Sequence, residues 1–232
     1  MFYKIIRFII FSISAFIALT ILVTALFKWV NPSSTAFISL KSGDPLLLLN
    51  GEVPKQTWAP INRISLNMPL AVIASEDQVF FDHFGFDFEQ IEKAMKENQK
   101  RKRQRGASTI SQQVAKNIFL FPGKSIFRKA LEAYFTLLIE LIWGKERILE
   151  VYLNIAEFGE DVYGVEAASK LYFGKNASAI TANEAALLTA ILPSPIKRSV
   201  VRPSGFVLGR KENILKQMEL IGGTSYIKEM LR

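Results

Sequence analysis

Glu76 and Asp77 stand side by side after the apolar run Leu70-Ala71-Val72-Ile73-Ala74, and a phenylalanine-rich turn then leads to His83, Gly85 and Asp87. A carboxylate at the edge of an apolar pocket holds its proton more tightly, which suits a general acid or base. On composition alone an ordinary helix end is the better explanation of Glu76. Asp87 reads as an N-cap, because Phe88 begins an amphipathic run. A second group is Gly106-Ala107-Ser108-Thr109-Ile110-Ser111-Gln112-Gln113-Val114-Ala115-Lys116-Asn117. Gly106 and Ser108 suit a loop entering a helix. Thr109, Gln113 and Lys116 fall at i, i+4 and i+7 on one face with Gln112 beside them, and Ile110, Val114 and Ile118 form the opposite stripe. Hydroxyls, amides and a lysine at a helix N-terminus suit an anion or sugar phosphate, with a solvated polar face as the competing explanation. In the third group Lys124, Arg128 and Glu132 recur every four residues. They read either as surface ion pairs or as two cations gripping a diphosphate beside a carboxylate, and spacing does not choose. In the fourth, Ile148, Leu149, Tyr152 and Leu153 are core positions, while Glu146, Glu150 and Asn154 read as buttresses of the fold.

Helices must carry these groups. Periodicity predicts them over 69–77, 87–103, 108–118, 124–143, 145–153, 161–171, 181–192 and 203–220, with a short strand at Leu46–Leu49. Ahead of them Phe8 to Phe27 is an uncharged run of bilayer-spanning length, preceded by Lys4 and Arg7 and followed by Lys28 and Trp29. The leading cations place the N-terminus in the cytoplasm and the rest outside. A cleaved leader cut after Val23-Thr24-Ala25 is the competing reading, and the length of the run favours a retained anchor. Asn31-Pro32-Ser33-Ser34 reads as an exposed linker. The expected organisation is therefore an anchor over 1–30, a linker and lead-in over 31–68, and one mainly α domain over 69–232. The chain has 232 residues, a net charge of +8, no cysteine and one histidine. No disulfide, thiolate site or His-rich metal centre can be built from that set. The basic run at 100–105 lacks the interleaved aromatics of a nucleic-acid reader, so contact with anionic headgroups is the better expectation.

The same blocks, in this order, resemble the peptidoglycan glycosyltransferase family with its lysozyme-like domain. The motifs are ASEDQxFxxHxGFD at 74–87, RGASTISQQxAKN at 105–117, RKxLEAYFTxLIE at 128–140, KERILExYLN from 145, EAALLTAILPSP at 184–195 and RPSGFVLGR at 202–210. The tail from Leu187 is most similar to the monofunctional biosynthetic members, and the length implies no transpeptidase domain. The resemblance implies a lysozyme-like, mainly α domain behind a single transmembrane helix, in the bacterial inner membrane with the catalytic domain on the periplasmic side. It implies polymerisation of lipid II into β-1,4-linked glycan with release of undecaprenyl diphosphate. Glu76 matches the catalytic base and Glu132 the second essential carboxylate. Ser108, Gln112, Gln113, Lys116, Lys124 and Arg128 match positions that hold the donor's sugar diphosphate. Lys124 departs from the arginine many members carry, keeping the charge and losing the bidentate fork. Partners implied are lipid II, the growing lipid-linked strand, the membrane and other cell-wall synthesis proteins, with no nucleic acid. No cofactor is required, and a weakly held Mg or Mn ion at the diphosphate stays open. A lytic muramidase using Glu76 as acid, and a non-catalytic scaffold, are the alternative functions. The cationic set argues against the first and the paired glutamates against the second.

Overall fold

The computed structural model describes residues 2–32, 35, 57–99, 106–123 and 125–231. Helix α1, Phe2–Trp29, is about 42 Å long at 1.5 Å per residue. It is the one described helix long and apolar enough to cross a membrane, and only 11% of its most apolar window is buried. That exposure separates it from the core helix of a soluble domain. Its second half nevertheless packs against the domain. Thr20 and Tyr134 share a hydrogen bond of 2.7 Å, Phe16 stacks on Tyr134, and Phe27 meets Phe119 at 6.2 Å between centroids.

The domain is built around α2, Asn67–Glu76, in which every residue from Met68 to Ala74 is buried. Such all-round burial needs partners on every side. They are α8 (Ala182–Ile191), α9 (Gly205–Leu220) and α10 (Gly223–Met230). A second layer packs α4 (Ile110–Phe119) on α5 (Ile126–Ile142) and α6 (Lys145–Ile155). The shorter α3, Phe88–Asn98, is capped by Asp87, whose carboxylate accepts from the Gln90 N–H at 2.8 Å. The expected buried stripe is present: Ile110, Val114 and Ile118 all lie in the core.

Three local expectations change. The helix predicted from 161 begins later, because 157–163 forms a small antiparallel hairpin, β1 Glu157–Gly159 and β2 Val162–Tyr163, before α7 at Val165–Phe173. Gly164 enforces that order. Its φ is +84°, and an added Cβ would stand 2.7 Å from the Asn154 carbonyl oxygen. Helix α10 was hidden behind the Gly222-Gly223 pair, both at positive φ. The expected exposed linker after the anchor is exposed at Asn31, which accepts a hydrogen bond from Arg147 at 2.9 Å, but buried at Pro32. The expected strand at Leu46–Leu49 and the basic run at 100–105 lie outside the described residues.

Candidate active site

Glu76 ends α2 as its last helical residue, half-buried at the waist of a cleft. On one side a cavity of 660 Å3 is bounded by Ser108, Thr109, Gln90, Lys93 and Arg210. On the other a cavity of 310 Å3 is bounded by Lys116, Asn117, Tyr152, Glu157 and Thr35. Glu76, Gln113 and Pro193 line both. The carboxylate is oriented by two donors, Gln113 Nε2 at 3.2 Å and Ser75 Oγ at 3.3 Å. Gln113 in turn accepts from the Tyr152 hydroxyl at 3.5 Å through its own carbonyl. Burial first, and then the negative charges of Glu76 and Asp77, push the Tyr152 phenol well above its ordinary pKa, so it stays protonated as a donor. That fixes the amide orientation: the carbonyl faces Tyr152 and the NH2 faces Glu76.

Asp77, next in sequence, is buried and does different work. Its Oδ2 accepts from the Ile110 N–H at 2.9 Å, and its Oδ1 from His83 Nε2 at 2.9 Å. One carboxylate thus ties the end of α2 to the start of α4, favourably placed at the positive end of the helix dipole. Thr109, expected on the polar face with Gln113 and Lys116, is instead the buried N-cap of α4, because its hydroxyl is committed to the Gly85 carbonyl at 2.7 Å and to the capping box. Gln112 closes that box. Its Oε1 accepts from the Thr109 N–H at 3.0 Å, and the residue is only 4% exposed. The structure therefore turns Gln112 back onto the helix terminus, whereas Ser108 is exposed on the larger cavity. Gly85 allows this junction to close. Its φ is +82°, and a Cβ there would stand 2.7 Å from Thr136 Cγ2.

Lys116 faces the smaller cavity. Burial pulls its pKa below the ordinary lysine value, with Glu132 opposing that pull and Arg128 and Lys129 adding to it. Glu132 is 2% exposed and held from two sides, by Arg128 Nη1 at 3.0 Å and by Lys129 Nζ. The charged stripe on α5 is thus an ion-paired cluster beside Lys116. Arg128 Nε is buried with no hydrogen-bond partner among the described residues, so the guanidinium keeps a donor for a ligand. Lys124, the other predicted cation, lies outside the described residues. Glu150 and Asn154 buttress as expected. Glu150 accepts from the Ile61 N–H at 2.9 Å, and Asn154 bonds both the N–H and the carbonyl of Ala59 at 2.8 Å.

Sequence reasoning missed Tyr152 as more than core, and missed Lys93 and Arg210. Arg210 reaches Ser75 Oγ at 3.2 Å and the Ala190 carbonyl, bringing a cation to the cavity from α9. Nothing in its local spacing announces this, because its partners lie far away in sequence.

The chain is similar to known proteins over most of its length. The family model described as Transglycosylase matches residues 43–219. A biosynthetic peptidoglycan transglycosylase of Pseudomonas putida is 47% identical over 221 residues, covering 93% of this chain and 91% of the relative. One of the same name from Bacteroides thetaiotaomicron is 47% identical over 220 residues, 94% of this chain and 88% of the relative. That of Yersinia pseudotuberculosis is 54% identical over 178 residues, 76% and 74% of the two chains.

Proposed function

The chain belongs to the transglycosylase family, and on that premise we propose that it is a peptidoglycan glycosyltransferase that joins lipid II units into β-1,4-linked glycan strands. The carrying observation is that Glu76 lines two adjoining cavities, of which the smaller alone is bordered by Lys116, itself beside the Arg128 and Glu132 ion pair. A carboxylate between two sugar-sized spaces suits transfer from a donor to an acceptor hydroxyl.

On this reading the growing strand is the donor, its muramyl sugar α-linked to undecaprenyl diphosphate beside the cationic cluster. The acceptor's N-acetylglucosamine enters the larger cavity. As its 4-hydroxyl oxygen bonds to the anomeric carbon, Glu76 takes the hydroxyl proton and the carbon–oxygen bond to diphosphate breaks. Attack from the opposite face inverts α to β. Lys116 and Arg128, together with Lys124, match the charge that grows on the departing diphosphate, and Glu132 holds Arg128 in place. Gln113 keeps a donor on Glu76 and so holds the carboxylate in one orientation. Ser108 lies where it can bond a sugar or phosphate oxygen. No cofactor is required, and a Mg or Mn ion would be held mainly by the diphosphate itself.

Placement at the bacterial cytoplasmic membrane belongs to the same proposal, with α1 as a single-pass anchor, its N-terminus cytoplasmic and the domain outside. Its supports are the length of α1, its packing against α5, and an apolar stripe on α5 of Ile126, Phe127, Leu137 and Leu141, with Ile126 91% exposed. The apolar run Phe119-Leu120-Phe121-Pro122 at the end of α4 divides in the same way: Phe119 stacks on Phe135 at 4.4 Å and Leu120 is buried, whereas Phe121 and Pro122 are exposed.

Incubation of the full-length protein in detergent with labelled lipid II tests the chemistry. Polymer is expected from the wild type, and a loss of about a thousandfold or more from Glu76→Gln. Cleavage of preformed glycan without polymer formation would refute the assignment.

A further inference from the structure

Arg147 sits one turn into α6, in a Lys-Glu-Arg triplet that looks like surface charge, yet its side chain is 13% exposed. Its guanidinium reaches the C-terminal end of α1. Nη2 donates to the Phe27 carbonyl at 2.9 Å and to the Val30 carbonyl at 3.1 Å, Nε donates to Phe27 at 3.2 Å, and Nη1 donates to Asn31 Oδ1 at 2.9 Å. The last carbonyls of any helix lack partners within it, and a cation there also complements the dipole. One planar fork supplies both. Its rear face lies 5.2 Å from the Trp58 ring centroid, and it is ion-paired to Glu150. Glu150 holds the Ile61 N–H, so the same side-chain chain reaches the segment that leads into α2 and Glu76. A second tie lies higher on the anchor, where Trp143 Nε1 donates to the Thr24 carbonyl at 2.7 Å, buried.

From this geometry we infer that Arg147 is a positioning residue: it locks the anchor helix to the catalytic domain and so fixes the height and tilt of the Glu76 cleft above the bilayer. The inference rests on the lipid II reading above. Both substrates carry their reacting sugars at a set distance from the membrane surface, so a cleft held rigidly at that distance meets them in register. A cleft on a loose tether spends most of its time elsewhere. A ligand free in solution imposes no such demand, because it can follow the cleft in any orientation.

The test compares two substrates with the full-length protein in lipid nanodiscs: lipid II with its native long tail in the same bilayer, and a short-tailed, water-soluble lipid II analogue. Arg147→Met keeps the aliphatic stem over Trp58 and removes the donors. It is expected to lower the rate on bilayer lipid II roughly tenfold while changing the rate on the soluble analogue less than about twofold. Arg147→Lys, which keeps the charge without the fork, is expected to fall between. Should Arg147→Met fail to fold, Trp143→Phe carries the test, with the same asymmetry expected from the loss of the indole N–H alone. Equal losses on both substrates, or no loss on either, would overturn the inference and leave the polymerase assignment standing. A wild-type protein that polymerises neither substrate would overturn both.

Discussion

Around Glu76 the residues divide into those that face the cleft and those that hold the first group still. Glu76, Ser108, Gln113 and Lys116 border the two cavities, and Arg128 keeps a buried donor open beside them. Asp77, Thr109 and Gln112 instead close the joint between α2 and α4. Lys116 shows what this arrangement costs. Its charge sits in a partly desolvated site beside Arg128 and Lys129, which lowers its pKa, and Glu132 offsets only part of that. Between the lowered folded pKa and the ordinary unfolded value, the unfolded chain binds more protons. The strain is therefore full below the folded pKa and is relieved as pH rises through it. Lys116→Gln is expected to raise thermal stability at neutral pH by about 0.5–1 kcal/mol, with the advantage shrinking in alkali, while polymerisation collapses. Thermal melts at neutral and alkaline pH check this, and a variant less stable than wild type at neutral pH would contradict it. Residue type and spacing put Gln113 and Lys116 on one face, whereas Glu76 stood out only through the family resemblance. Thr109 and Gln112 were not legible in this way, because the i, i+4, i+7 rule says which residues share a face but not where the helix begins. A capping box at 109–112 and a polar stripe through 109–116 are written with the same letters.

At the scale of elements, long amphipathic helices were readable and the short joints were not. The stripe of α4 fixed its buried face, and Asp87 announced the start of α3 through its chemistry. The hairpin at 157–163 has strands of three and two residues, too short for an alternating pattern to stand out. Its one strong signal is Gly164, whose positive φ no hydrophobic pattern announces. Gly164→Ala should push a methyl against the Asn154 carbonyl, 2.7 Å from an ideal Cβ, and demand positive φ of an alanine. A loss of roughly 2–3 kcal/mol is expected, read as a lower denaturation midpoint. Stability equal to wild type would show that the α6–hairpin joint relaxes freely. Because Asn154 also holds both polar backbone groups of Ala59, the damage should spread to the lead-in before α2.

For the whole molecule, the sequence suggested a domain hanging from an anchor by a polar linker, and the structure joins the two directly. Arg147 and Trp143 lay hidden because their partners, Phe27 and Thr24, are about 120 positions away along the chain. Local periodicity carries no information across that distance. Deleting residues 1–32 should leave those donors and the apolar faces of Phe119 and Tyr134 without their cover. The donors then turn to water, but the lost packing and hydrogen bonds are expected to lower the melting temperature by about 5 °C. An unchanged melting temperature would show that the anchor contributes nothing to the fold. The chain carries a formal charge of +8, which suggests attraction for any polyanion and strong weakening by salt. Glu132 alters that expectation where it matters, since it already offsets one of the two charges of Arg128 and Lys129 from a buried position. A diphosphate arriving there meets cations that a built-in anion has already partly neutralised, with fewer mobile ions gathered around them. Few small ions are set free on binding, so the grip on substrate should resist ionic strength better than the excess of basic residues implies.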